Sequence, residues 1–160
     1  MAVPVVVDGY NLLYARGEAP SAATRAHLVR DLVRWAERRR RRVVVVFDAW
    51  AQGQRVEQET THGPVTVCFT RYGERADERI VRWVAGRPEA VVVTSDRAVR
   101  QAVQRRGAAV LDAETFADRL TTALTPPGAS PDGEDATDRD DDTRPPGRRP
   151  SRQASWLRGL

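Results

Sequence analysis

Lysine is missing altogether: all 26 basic residues of this 160-residue chain are arginine. Cysteine occurs once, as Cys68 inside a short apolar run, which excludes an intramolecular disulfide and any thiol-rich metal site. Histidine occurs twice, at His27 and His62, isolated from each other and without ligand spacing, so neither is assigned a role. No apolar run approaches the length of a membrane span, and Met1–Asp8 has neither the basic start nor the long apolar middle of a signal peptide. The expectation is a soluble cytoplasmic protein with no membrane association.

The charge that is present is unevenly spread. Residues 1–125 hold 20 Arg against 15 acids, whereas residues 126–160 hold 6 Arg against 7 acids. The first part therefore carries the net positive charge, which favours a polyanionic partner, although arginine-only usage also fits a coding bias. Length allows one ordinary domain rather than two. From Pro126 to Pro150 the chain is almost wholly Pro, Gly, Asp and Arg, which buries too little apolar surface to offset its ordering entropy. The division expected is a folded domain over 1–125 and a disordered tail over 126–160, ending in the short apolar motif Ser155–Leu160.

Five short, mostly β-branched runs read as buried strands: Val3–Val7, Val43–Phe47, Val65–Phe69, Ala90–Val93 and Ala108–Leu111. Between them lie helical patterns. One spans Ala22–Arg40, with Ser21 as cap and Leu28, Leu32, Trp35 and Ala36 inward; the others span Glu74–Ala85, a stretch from Asp96 to Gly107, and Ala113–Leu124. Alternation of strand and helix implies βαβ crossovers and a three-layer α/β domain around a mostly parallel sheet.

Three strand runs end in an acid: Val7-Asp8, Phe47-Asp48 and Val93-Thr94-Ser95-Asp96. Parallel strands place all their C-terminal ends on one edge, where open α/β sheets bind ligands. In the second helical pattern Asp77 aligns with Ile80, Val81 and Val84, so it points inward; Glu74 shares that face, while Glu78 aligns with Arg82 and Ala85 and points to solvent. Carboxylates gathered together repel, and burying them without a counter-charge costs several kcal/mol. A cation resolves this, and hard oxygen donors without histidine or thiolate select Mg²⁺ or Mn²⁺. Such ions neutralise a phosphate and hold attacking and leaving oxygens in line, so phosphodiester hydrolysis is the natural reaction. Each acid also has a structural reading: Asp8-Gly9 as a turn, Asp48 as a loop acid, Asp77 as a first-turn acid and Asp96 as an N-cap. Asp112 is read only as a cap.

These residues resemble a known family. Asp8-Gly9-Tyr10-Asn11-Leu12, Phe47-Asp48-Ala49, Glu74-Arg75-Ala76-Asp77-Glu78-Arg79-Ile80 and Thr94-Ser95-Asp96 are similar to the four signatures of the NYN domain, in its YacP-like branch, within the PIN-like nuclease superfamily. The resemblance covers about residues 3–120. It implies a PIN-like α/β fold and a Mg²⁺-dependent endoribonuclease, and further implies ribosome-associated cleavage of mRNA. Carried over by position, Asp8, Asp77 and Asp96 match the metal-binding acids and Asn11 the polar partner beside the first. Asp48 matches an acid at the edge of the site, and Glu74 the acid opening the helix motif. Arg75 and Trp50 depart from the family's pattern, which bears on substrate preference rather than on the reaction.

For the RNA itself, Arg71, Arg75, Arg79 and Arg97 flank the acids as phosphate contacts, and Tyr10, Trp50 and Tyr72 as stacking surfaces. The run Arg38–Arg42 closes a helix away from the acids and reads as a solvated face. A non-catalytic RNA- or ribosome-binding module on the same fold is the alternative; intact acids argue against it, because a phosphate-binding surface has no use for a negative cluster. A haloacid-dehalogenase-type phosphatase would want Asp-x-Asp after the first strand, where this chain has Asp8-Gly9-Tyr10. A PIN-type toxin is a further reading, since a cognate antitoxin leaves no trace in the chain. The sequence leaves oligomeric state open.

Overall fold

The first valine run forms β1 (Val5–Asp8), and the chain turns at once into a helix that the apolar pattern did not announce, α1 (Gly9–Ala15). The structure, a computed structural model, describes residues 3–49, 57–71 and 73–128. Trp50, Tyr72 and the tail beyond Gly128, with its terminal apolar motif, lie outside the described residues. After α1 come α2 (Ala22–Arg39), β2 (Val43–Phe47), β3 (Gln58–His62), β4 (Val65–Phe69), α3 (Ala76–Val84), β5 (Val91–Val93), α4 (Arg97–Gln104), β6 (Ala109–Leu111) and α5 (Ala113–Leu124). No helix among the described residues is long and apolar enough to cross a membrane.

The six strands form one sheet in the order β3-β4-β2-β1-β5-β6, parallel except for β3 against β4. Side-chain alternation divides the core. Val6, Val46, Cys68 and Val92 turn to one face and pack with Ile80 and Val84 of α3 and Val99 and Val103 of α4. The helices α1, α2 and α5 pack together on the other face, where Trp35 meets Phe116 edge-on with ring centroids 5.1 Å apart. The inward stripe expected for α2, Leu28, Leu32, Trp35 and Ala36, is fully buried, and Ser21 caps that helix by accepting from the Thr24 backbone N–H at 3.0 Å.

Strand β3 was not anticipated, because Gln58-Glu59-Thr60-Thr61-His62 has no apolar period. All five residues are exposed, and the strand is held by its ladder to β4 across the tight Gly63-Pro64 turn. A polar edge of this kind blunts further strand pairing. Gly63 takes a positive φ of 55°, the conformation such a hairpin turn requires.

The strand order sets where a ligand binds. From β1 the chain proceeds outward through β2 and β4, then returns to the other side of β1 with β5 and β6. The order reverses between β1 and β5, and open α/β sheets bind ligands in the crevice above such a point.

Candidate active site

Asp8 ends β1 and Asp96 follows β5, so the two acids flank the reversal of strand order. A cavity of about 440 Å³ opens there, lined by Asp8, Tyr10, Asp48, Arg75, Ala76, Asp77 and Asp96. The structure thus brings together four of the sequence-predicted acids, Asp8, Asp48, Asp77 and Asp96, from four separate segments, with Arg75 as the basic side chain of the lining.

Each acid is placed by a local device. Asp8 shares the side of the sheet that Val6 faces, toward α3, because side chains alternate along a strand. It also caps α1, its Oδ1 accepting from the Asn11 backbone N–H at 3.5 Å. Asp96 caps α4, with Oδ1 accepting from the Ala98 and Val99 N–H groups at 2.8 and 3.1 Å. Capping and lining the cleft are therefore compatible: both cap bonds fall on one oxygen of Asp96. Asp48 lies in the loop after β2, which is pinned where the Thr70 hydroxyl accepts from the Ala49 N–H at 3.1 Å. Asp77 sits in the first turn of α3, half-buried, while its neighbour Glu78 is exposed and accepts from the Arg75 N–H at 3.3 Å.

The electrostatics of the cluster show most clearly at Asp8. Asp8 is only 8% exposed. Burial pushes its pKa up to about 6, and the charges of Asp96 and Asp77 push the same way, against the bonds it accepts from Asn11 and Thr94. Such a site favours a cation, and its donors are all hard oxygens. Among the described residues no three acidic, histidine or cysteine side chains converge closely enough to enclose an ion by themselves. The lining suits an ion that keeps several of its waters, which is the habit of Mg²⁺.

Two predicted site residues are placed differently. Glu74 is buried but outside the cavity lining, where it pairs with Arg82 at 3.0 Å and with Arg71 at 3.8 Å. Helical periodicity put it beside Asp77, but α3 begins only at Ala76, so that periodicity does not reach it. Asn11 is likewise outside the lining: its Oδ1 accepts from the Ser95 backbone N–H at 2.8 Å, tying α1 to the loop that carries Asp96. Ser95 is held again by its hydroxyl bond to Glu114 at 2.6 Å.

Of the four arginines expected at phosphates, Arg75 lines the cavity. Arg71 is exposed beside Glu74, and Arg97 is exposed in the first turn of α4. Arg79 is committed elsewhere, because its Nε lies 2.7 Å from Glu57, a pairing that holds the Glu57 carboxyl below its ordinary range despite burial. Glu57 also receives Arg82 at 3.0 Å. Sequence reasoning missed this acid, which sits in a polar stretch with no pattern to mark it. Tyr10 lines the cavity with its ring 5.3 Å from Phe47, and its hydroxyl accepts from Arg25 at 3.4 Å.

Gly9, between Asp8 and Tyr10, has no room for a side chain, since a Cβ there would overlap the Phe47 ring. That ring is fully buried and stacked on Phe69 at 5.5 Å, so it has little room to yield. Gly9→Ala is expected to cost about 1–3 kcal/mol by overpacking and to displace Asp8 as well. Thermal denaturation then shows a clearly lower midpoint than wild type; an unchanged midpoint would mean that Phe47 accommodates the methyl group.

Comparison with known proteins gives concordant results. The model of the YacP-like NYN domain matches residues 5–135. A crystal structure of a tryptophan-to-leucine mutant of Rae1 (YacP) from Bacillus subtilis is similar, with 27% identity and a TM-score of 0.61 over 75% of this chain and 76% of that one. A second Rae1 (YacP) structure from Bacillus subtilis shows 26% identity and a TM-score of 0.59 over 76% of this chain and 75% of that one. No curated protein sequence matches the chain.

Proposed function

Because the chain belongs to the YacP-like NYN domain family, whose fold is that of the PIN-like nucleases, we propose that it is a Mg²⁺- or Mn²⁺-dependent endoribonuclease. The nuclease domain is residues 1–125, followed by a tail, and the substrate is single-stranded RNA, foremost mRNA engaged with the ribosome. The observation that carries the reading is the convergence of Asp8, Asp48, Asp77 and Asp96 on one cavity at the reversal of strand order.

The reaction is attack of water on a phosphodiester phosphorus with loss of a ribose oxygen. Asp8, Asp77 and Asp96 would hold the cation, with Asp48 at the edge. A divalent ion there supplies neutralisation of the phosphate charge and polarisation of the attacking water. Arg75, in the lining of the cavity, engages a non-bridging phosphate oxygen as a charge-assisted donor. Tyr10, backed by Phe47, offers a ring face to a base. The loop 94–96 is braced by Asn11 and Glu114, which fixes the direction of the Asp96 carboxylate.

Incubation of the protein with a labelled single-stranded RNA, and separately with translating ribosomes, each with Mg²⁺, Mn²⁺ or EDTA, tests the reading. Cleavage is expected with either ion and is lost in EDTA. Cleavage that persists in EDTA removes the cation from the mechanism. Binding without cleavage under every condition favours the non-catalytic RNA-binding module.

A further inference from the structure

A second cavity, of about 480 Å³, lies between α3 and α4 and shares Asp77 with the first. The two cavities therefore border the same side chain. Both helices start at the cleft edge and precede parallel strands, so they run side by side away from the site. On α4, Ala98 and Ala102 are one turn apart, and their small side chains leave a channel against Val81 of α3. Its walls change character along its length. Asp77 and Glu78 stand at the cleft end, the middle is apolar, and Arg82 and Arg106 stand at the far end.

An RNA strand whose scissile phosphate lies in the cleft must leave it in both directions. From Asp77 to Arg82 is five residues of helix, an axial rise of about 7.5 Å, which is close to the separation of neighbouring phosphates in an extended strand. The channel thus offers an apolar seat followed by positive charge one nucleotide away from the acids. Resting on the nuclease reading above, we propose that this groove holds the nucleotide adjoining the scissile phosphate, with its base against Val81, Ala98 and Ala102 and its outer phosphate on Arg106. Arg82 is committed, its two terminal nitrogens being paired with Glu57 and Glu74 at 3.0 Å each. Arg106 is better able to serve. Among the described residues its guanidinium donates one bond, to the Ala102 carbonyl at 3.0 Å, and a guanidinium has five N–H donors.

Binding of fluorescent oligouridylates of two to eight nucleotides is read by anisotropy in EDTA, and cleavage of the same set is read in Mg²⁺. Three full-length variants are compared with wild type: Ala102→Glu, which fills the groove with an acid; Arg106→Ala; and Arg105→Ala. The last removes the same charge from the neighbouring residue, which does not line the groove. Wild-type affinity is expected to rise with length as the strand enters the groove. Ala102→Glu should erase that gain by roughly tenfold. Arg106→Ala should reduce the slope of log affinity against log salt by about 0.7, one single-strand phosphate contact, while Arg105→Ala keeps the wild-type slope. Far-ultraviolet circular dichroism melts establish that each variant is folded, and Arg106→Ala decides the matter if Ala102→Glu is not. If wild type cleaves RNA while both groove variants bind and cleave every length as it does, the groove assignment is overturned and the nuclease reading stands. If Arg105→Ala and Arg106→Ala lose the same slope, charge rather than position is responsible, and the groove assignment is again overturned. If wild type neither binds nor cleaves any of the RNAs, it is the nuclease reading itself that fails.

Discussion

Asp77→Asn should lower RNA cleavage by at least ~10²-fold, whereas Glu78→Gln, one residue away, should retain it within about threefold. The contrast follows from helix geometry. Asp77 is half-buried and lines the acidic cavity, while Glu78 is exposed and spends one carboxylate oxygen on the Arg75 N–H at the start of α3. A glutamine at 78 keeps an acceptor for that N–H. An asparagine at 77 keeps the shape of the side chain but removes a charge from the set that would hold the cation. Were Asp77 only a first-turn acid favoured by the helix dipole, its loss would cost a few tenths of a kcal/mol and leave activity intact. Single-turnover cleavage and thermal denaturation of the two variants, measured side by side, separate these cases. Equal activities, or an Asp77→Asn protein that is inactive because it has unfolded, would remove Asp77 from the site.

What the sequence makes legible is what apolar periodicity controls. The five valine-rich runs form the parallel strands, and the buried stripe of α2 is the one its spacing predicts. The acids at strand ends follow directly, because parallel strands share an edge whatever their order. What stays hidden has other physical origins. Strand β3 is polar on both faces and exists through its hydrogen bonds to β4, so no pattern marks it. The helix α1 is seven residues long and follows β1 without a linker, with Asp8 serving both elements. Its capping role was hidden by the turn-like pair Asp8-Gly9, and Gly9 is there for lack of space beside Phe47 rather than for a turn. The pairings that decide which charged residues reach the cavity are long-range. Glu57 takes Arg79 out of the set of free cations across 22 residues, and Glu74 takes up Arg82. Spacing along the chain carries no information about such partners.

The second large effect concerns Asp8, whose burial beside Asp77 and Asp96 leaves it with a pKa of about 6 in the metal-free protein. In the unfolded chain the same carboxyl titrates near its ordinary value of 3.8. Between these two values the folded state holds a proton that the unfolded state has released. Stability from this group is therefore present in full below about pH 4 and is lost as pH rises through about 6. The difference of roughly two pH units corresponds to something on the order of 3 kcal/mol across the window. Asp8→Asn removes the charge that causes the loss. The asparagine can still accept from the Asn11 N–H, and its amide N–H groups find acceptors in the neighbouring carboxylates. In EDTA at pH 8 the variant should therefore be more stable than wild type, and the advantage should shrink toward zero as pH falls to 4. Other acids, such as Asp112 and Glu57, whose pKa values are lowered, give slopes of the opposite sign, but these are common to both proteins and cancel in the difference. Adding Mg²⁺ should reverse the order at pH 8: wild type gains stability by binding the ion, the variant gains far less, and only wild type cleaves RNA. Denaturant titrations of both proteins from pH 4 to 8, with EDTA and with Mg²⁺, provide the measurement. A difference that stays constant with pH would show that Asp8 is not the buried, uncompensated acid of this cleft, and an active Asp8→Asn enzyme would show that its charge is not what holds the cation.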